Sequence, residues 1–215
     1  GDYGVFLYSG FSLGLISEDV ALTNPFSLAI NDAGQVVWEG SDALNQDQEI
    51  FLYDGGAPVN ISNNGLTDFA PAINASGQVV WQGFDATTSD IYLYTGSGTP
   101  VKISSGSTDN KGPQINDLDQ VVWQGFDGTA YNFYLYDGVS VIKVITGVSA
   151  DSRPVINNSG QIVYQQLGTG GAYEIYLYQD GASLRITENA YQDILPQINN
   201  NGDIAWIDYS ASPRI

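Results

Sequence analysis

Five aromatic side chains stand at nearly constant intervals along the chain: Trp38, Trp81, Trp123, Tyr164 and Trp206, separated by 43, 42, 41 and 42 residues. A ring of such side chains could offer five platforms for sugar rings, and these five are the candidate ligand-binding residues. The competing role is structural, because a large ring at the centre of a strand packs against the next layer. A second set is acidic. Asp42, Asp85 and Asp127 fall in SDALNQDQE, FDATTSD and FDGTAYN, stretches of the variable kind that carries binding residues when held on a rigid scaffold. With Asp47 and Asp90 they could supply oxygen ligands to calcium. Their spacing is not that of an EF-hand loop, however, and calcium takes six to eight oxygens. Solvated turn acids are the alternative. A third set, Asp68, Asp109, Asp151 and Asp193, recurs three or four residues before a proline. Such repetition suggests a shared structural task, accepting hydrogen bonds in a turn, more than one catalytic centre.

The missing residue types are as informative. The chain contains no His, Cys or Met. A His-dependent triad, an imidazole zinc site, a thiol nucleophile and a disulfide framework are therefore excluded. With 24 acidic and six basic residues the net charge is −18. This argues against a nucleic-acid partner or an anionic membrane surface and favours solubility or cation binding. No apolar run approaches 18 residues, so no membrane insertion is expected. The chain starts at Gly1. With no initiator Met it is expected to be a processed product: secreted, periplasmic or cell-surface after signal-peptide removal, or excised from a longer precursor.

The elements that position these residues follow from one repeated phrase. PFSLAINDAGQVVWEG, PAINASGQVVWQG, PQINDLDQVVWQG, PVINNSGQIVYQQ and PQINNNGDIAWID align on Asn31, Asn74, Asn116, Asn157 and Asn199. After each of the first four comes an Ile-Tyr-Leu-Tyr-like run (EIFLYDG, DIYLYTG, NFYLYDG, EIYLYQDG), then PVNIS, PVKIS, IKVIT or LRIT. Each copy thus reads as four strands, A to D. Asn-x-x-Gly supplies hairpin chemistry between A and B, with Gly34, Gly77, Gly160 and Gly202 free to take positive φ and Asp119 in the third copy tolerating it. Successive residues of strands B and C are apolar, so both faces must be buried, as in a propeller blade. Four strands in about 42 residues is the propeller period.

The predicted fold is therefore all-β: one β-propeller domain over residues 1–215, five-bladed, each blade a four-stranded antiparallel sheet. The repeats run roughly 18–62, 63–104, 105–146 and 147–187, and 188–215 is completed by 1–17. Two N-terminal strands (C and D, with Val5–Tyr8) pair with two C-terminal strands (A and B, with Ile204–Ile207), which closes the ring and removes open sheet edges.

The phrase order Pro-x-Ile-Asn-x-x-Gly-Gln-Val-Val-Trp, Asp-Ile-Tyr-Leu-Tyr-Asp-Gly, Leu-Arg-Ile-Thr resembles the TolB-type propeller repeat over essentially the whole chain. The chain departs from that pattern in having Ile-Asn where the family tends to have Trp-Ser, and five copies where TolB has six blades. The resemblance implies a fold and no one activity, since such repeats serve periplasmic scaffolds, peptidase-associated domains and surface proteins alike. The expected function is a non-catalytic extracellular or cell-surface module that holds a protein or glycan through its loop face. The alternatives are a tachylectin-like lectin, a structural subunit that self-assembles by strand exchange in place of a closed monomer, and an enzyme similar to five-bladed glycosidases. That last group places carboxylates on the innermost strands, and the A strands here (FSLAIN, PAIN, PQIN, PVIN, PQIN) contain none. No cofactor is expected beyond the calcium considered above. Sequons stand at Asn60, Asn74 and Asn157, the last two in A–B turns expected to be exposed enough for a glycan.

Overall fold

A computed structural model describes residues 4–10, 12–17, 27–41 and 47–210. Every regular element among them is a strand, and none of the described residues forms a helix long and apolar enough to cross a membrane. The chain divides into two compact units, Gly1–Ile115 and Asn116–Ile215.

The first unit opens with a two-stranded sheet, β1 (Phe6–Ser9) and β2 (Ser12–Leu15). Two four-stranded antiparallel meanders follow. One contains β3 (Leu28–Ile30), β4 (Val36–Ser41), β5 (Gln48–Tyr53) and β6 (Val59–Asn60); the other contains β7 (Thr67–Ile73), β8 (Val79–Phe84), β9 (Ser89–Tyr94) and β10 (Val101–Lys102). Strand β11 (Thr108–Ile115) ends the unit. In the second unit β12 (Val121–Phe126), β13 (Tyr131–Tyr136) and β14 (Val141–Val148) pair in sequence. A four-stranded meander of β15 (Val155–Ile156), β16 (Ile162–Leu167), β17 (Tyr173–Gln179) and β18 (Ala182–Arg185) comes next, then a two-stranded sheet of β19 (Gln192–Ile198) and β20 (Ile204–Tyr209).

Burial on both sheet faces has a direct explanation in the side-chain alternation of a strand. On β4, Val36 and Trp38 pack with Val5, Ile16 and Phe51. Val37, pointing the other way, packs with Val79 and Trp81 of β8. The second unit repeats this arrangement, with Phe133 and Ile145 of one sheet against Ile162 and Tyr164 of the next. Burial of large side chains of this kind contributes roughly 1.5–3 kcal/mol each.

The A–B turns behave as their sequence predicts. Gly34, Gly77, Gly160 and Gly202 have φ between 73° and 85°, and Asp119 has φ 63°. In each turn the Asn side chain caps its own loop; Asn31 Oδ1, for example, accepts from the amides of Ala33 and Gln35 at 3.1 and 3.0 Å. The Asn amide also reaches forward one copy. Nδ2 of Asn31 donates to the carbonyl of Asn74 (2.9 Å), that of Asn116 to Asn157 (2.9 Å), and that of Asn157 to Asn199 (3.0 Å). Asn74 and Asn157 are accordingly 2% and 3% exposed. This corrects the expectation that these two sequons are exposed, since both side chains are buried and the amide that would carry a glycan donates within its own turn at Asn74 and to turn and neighbour at Asn157.

Strand A bends just before its proline. Ladder pairing shifts between Phe69 and Ala72 and between Ile194 and Gln197, and Ala70, Gly112 and Leu195, each preceding a proline, have φ of 51°, 60° and 55°. Left-handed backbone costs a non-glycine residue roughly 1–2 kcal/mol, and side chains from the preceding copy hold the bend. Glu39 Oε1 accepts from the Ala70 amide (2.6 Å), and Gln165 Oε1 accepts from the Leu195 amide (2.9 Å). The Leu195 side chain is 56% exposed, so little packing offsets the strain. Leu195→Gly is expected to stabilise the protein by about 0.5–1 kcal/mol, read as a higher urea midpoint. An unchanged or lower midpoint would show that the bend is not strained.

Candidate functional site

Four of the five strand-B aromatic rings stack on their cross-strand partners. Centroid separations are 6.1 Å for Trp38–Phe51, 6.0 Å for Trp81–Tyr92, 6.0 Å for Trp123–Tyr134 and 5.5 Å for Tyr164–Tyr176, with interplanar angles of 16–22°. Trp38, Trp81 and Trp123 have no exposed surface, and Tyr164 keeps 4%. In this arrangement the three tryptophans are interior walls with no face open to a sugar. Trp206 differs at 39% exposed.

Behind these rings lies a recurring polar cluster. Strand C opens with Glu49, Asp90, Asn132 or Glu174; strand D ends near Ser62, Ser104, Thr146 or Thr187; and the next strand A opens near Asp68, Asn110, Ser152 or Asp193. The hydroxyl bridges: it accepts from the backbone of strand C (Ile50 to Ser62, 2.9 Å; Ile91 to Ser104, 3.1 Å; Ile175 to Thr187, 2.9 Å) and donates to the acid (Ser62 to Glu49; Ser104 to Asp90, 2.6 Å; Thr187 to Glu174, 2.7 Å). Val5 donates to Ser17 in the same way at 2.9 Å. Indole N–H groups close the cluster, from Trp81 to Asp68 (3.1 Å) and from Trp206 to Asp193 (3.0 Å). A Cβ added at Gly83 would stand 2.7 Å from Asp68 Oδ1, so this approach requires glycine.

Of the acids before the prolines, Asp68 and Asp193 lie within strand A and accept from Asn64 and Asn189 of the preceding turn as well as from the strand-B indoles, whereas the other two copies show a one-residue slip. Asp68 and Asp193 are fully buried, whereas in the two intervening copies the buried member is Asn110 or Ser152, not Asp109 or Asp151. Asp151 instead accepts from the Tyr173 hydroxyl at 3.2 Å.

Of the acids considered for calcium, Asp42 lies outside the described residues. Asp85 accepts from Thr87 N (3.0 Å), Thr87 Oγ1 (2.7 Å) and Thr88 N (2.8 Å), and these bonds lower its pKa to about 2. Asp127 makes the same turn with Thr129 and Ala130 and accepts an ion pair from Lys143 Nζ at 2.6 Å, which holds its carboxyl well below the usual range. Asp90 pairs with Lys102 at 2.9 Å. Among the described residues no three acidic side chains converge on one point.

A cleft of about 350 Å³ opens in the second unit between β14 and the β16–β18 sheet. Tyr164, Tyr176, Tyr178, Gln166 and Ser183 line it opposite β14 from Val144 to Val148, and none of the described lining side chains is charged. The Tyr164 hydroxyl donates to Ser183 Oγ at 2.9 Å, while Tyr176 and Tyr178 are half-buried with surface facing the cleft. The sequence marks Tyr176 and Tyr178 as a strand-C pair. What it hides is the space beside them, which forms where β14 bulges: its pairing with β13 shifts twice, near Asn132 and Phe133.

No protein-family model matches the sequence, and no curated protein matches it. Solved structures do match in fold. A protein assigned as TolB of Agrobacterium tumefaciens aligns with TM-score 0.61 and 14% identity, over 82% of this chain and 69% of that one. The β-propeller domain of the Trilobed protease from Pyrococcus furiosus, which has an open velcro topology, aligns with TM-score 0.58 and 13% identity over 83% and 60%. Hydrazine synthase of Kuenenia stuttgartiensis gives 0.59 and 11% over 93% and 38%. The chain thus spans less than two-thirds of the protease and hydrazine synthase chains. At these identities the likeness defines the fold, and that fold is a β-propeller.

Proposed function

We propose that the protein is a non-catalytic binding module, a five-bladed propeller of the secreted, periplasmic or cell-surface kind, which takes an uncharged glycan in the cleft beside Tyr176 and Tyr178. The observation that carries this reading is the cleft itself: half-buried tyrosine rings, an amide and hydroxyls, with no charged group in its walls. Rings with hydroxyl handles suit a ligand that is apolar on its faces and polar at its edges. The volume lies at the small end of ligand pockets, which run from roughly 300 to 1,000 Å³, matching a short saccharide. The absence of a carboxylate from the cleft walls favours binding over hydrolysis.

The test is calorimetric titration with a panel of neutral mono- and disaccharides. Tyr178→Ala is expected to weaken the best binder about tenfold, or ~1.4 kcal/mol. Binding should be unchanged between low and high salt, because no ion pair is involved. If no neutral sugar binds, or if Tyr178→Ala binds as the parent does, the glycan reading is wrong.

Five blades require that β1–β2 and β19–β20 together make one. Each is half of a repeat: Val5 to Ser17 reproduces the C–D bond of the full copies, and Trp206 to Asp193 reproduces the A–B bond. The same two half-sheets favour a second reading, in which β1–β2 joins the β19–β20 of another molecule and the protein assembles by strand exchange.

A further inference from the structure

We propose that Glu49 and Asp68 hold one proton between them and form a pH-sensitive latch joining β5 of the first four-stranded sheet to β7 of the second, closed while the proton is held and weakened when it leaves.

The argument rests on two copies of one cluster that match bond for bond. In the second unit, Thr187 Oγ1 donates to Glu174 (2.7 Å), the Asn189 amide to Glu174 (3.1 Å), Asn189 Nδ2 to Asp193 (2.7 Å) and Trp206 Nε1 to Asp193 (3.0 Å). In the first, Ser62 donates to Glu49, the Asn64 amide to Glu49 (3.2 Å), Asn64 Nδ2 to Asp68 (3.0 Å) and Trp81 Nε1 to Asp68 (3.1 Å). All four carboxylates are at most 1% exposed.

The copies differ at one position on strand D. Opposite Tyr176, Tyr134 and Tyr92 stand Arg185, Lys143 and Lys102, but opposite Phe51 stands Asn60. Arg185 Nη2 pairs with Glu174 at 2.9 Å, so one positive charge sits beside two buried carboxylates. Among the described residues the other titratable groups around Glu49 and Asp68 are Asp47 of the preceding loop, Glu39 of β4 and Tyr92 of β9, and none of these brings positive charge. The first unit's lysines, Lys102 and Lys111, pair with Asp90 and Asp109. Two buried carboxylates bridged by one residue, Asn64, cannot both stay ionised without a positive charge beside them. A shared proton restores the net charge that Arg185 gives the other copy.

Titration agrees in direction. Desolvation, with Asp68 adding repulsion, pushes Glu49 up to about 7, and desolvation pushes Asp68 up to about 6. Glu174, held by Thr187, the Asn189 amide and Arg185 against its own desolvation, moves down. For acids raised on folding, the folded chain keeps protons that the unfolded chain releases, so stability falls as pH rises from about 4 to about 7 and is flat above.

The experiment is a carbon-13 NMR titration of the side-chain carboxyls, with urea midpoints measured from pH 5 to 8. Glu49 is expected to titrate well above the ordinary glutamate range, and the midpoint should fall with pH. Glu39, also raised by burial, would leave a residual slope, which Glu49→Gln isolates. Asn60→Arg should bring the Glu49 titration into the ordinary range and flatten the midpoint curve, while Arg185→Asn should raise the titration of Glu174. A Glu49 titration at its ordinary value in the parent protein, or a parent slope that survives unchanged in both Glu49→Gln and Asn60→Arg, would overturn the proposal.

Discussion

Trp81→Ala is expected to cost about 4–8 kcal/mol of folding stability. Its ring has no exposed surface and packs with Val37, Ile50, Leu52, Ile61 and Val79. Removing a buried tryptophan leaves a cavity that costs roughly 3–5 kcal/mol. A second loss adds to it, because Asp68 accepts from the indole and a buried acceptor stripped of its donor costs about 1–3 kcal/mol. Phenylalanine separates the two: Trp81→Phe keeps most of the ring and loses the N–H, so about 1–3 kcal/mol is expected. Natural domains have about 5–15 kcal/mol in total, so the alanine variant should be largely unfolded in mild urea. Chemical denaturation of the two variants measures the ratio. An alanine cost below about 2 kcal/mol would mean that the interior of this unit is not packed as described.

The second prediction concerns the ring. The strand-B residue before each aromatic pairs with a strand-C leucine, as in Val37↔Leu52, Val80↔Leu93, Val122↔Leu135 and Val163↔Leu177. By the same register the proposed shared blade sets Ala205 opposite Leu7. The chain has no cysteine, so Leu7→Cys with Ala205→Cys introduces the only two thiols. Oxidation is expected to give a monomer with an internal disulfide. Closing so long a loop constrains the unfolded chain by up to about 5 kcal/mol, a gain that reduction reverses. Non-reducing electrophoresis and light scattering give the answer. Covalent dimers and longer ladders would replace closure with strand exchange, and free thiols after oxidation would sink both arrangements together with the five-bladed count.

Much of this architecture was legible because a repeat exposes its own rules. Asn-x-x-Gly specifies a turn by local chemistry, and adjacent apolar residues such as Val36 and Val37 demand burial on both sheet faces; neither reading needs long-range information. The site was less legible. The aromatic spacing was plain, yet spacing cannot distinguish a platform from a wall, and the burial of Trp38, Trp81 and Trp123 depends on neighbouring sheets. Asp109 and Asp151 aligned with Asp68 and Asp193, yet Asn110, three residues before its proline as Asp68 and Asp193 are, and Ser152, two residues before its own, occupy the buried place. The cleft arises from pairing shifts in β14, for which PHPH-type alternation carries no signal. Nothing in the sequence around Glu49 sets it apart; only the matching cluster at Glu174, with Arg185 beside it, shows which charge is absent.

The forward-reaching asparagines give the chain a direction in time. Asn31 waits for the carbonyl of Asn74, Asn116 for that of Asn157, and Asn157 for that of Asn199, so every donor leaves the ribosome before its acceptor. At about 5–20 residues per second, the delay is roughly two to eight seconds per copy. In the folded chain the same Asn amide groups also donate to the turn's own Gln35, Gln120 or Gln161. In each of these three pairs the earlier copy holds the donor and the later copy the acceptor, so the order of synthesis is written into the bond.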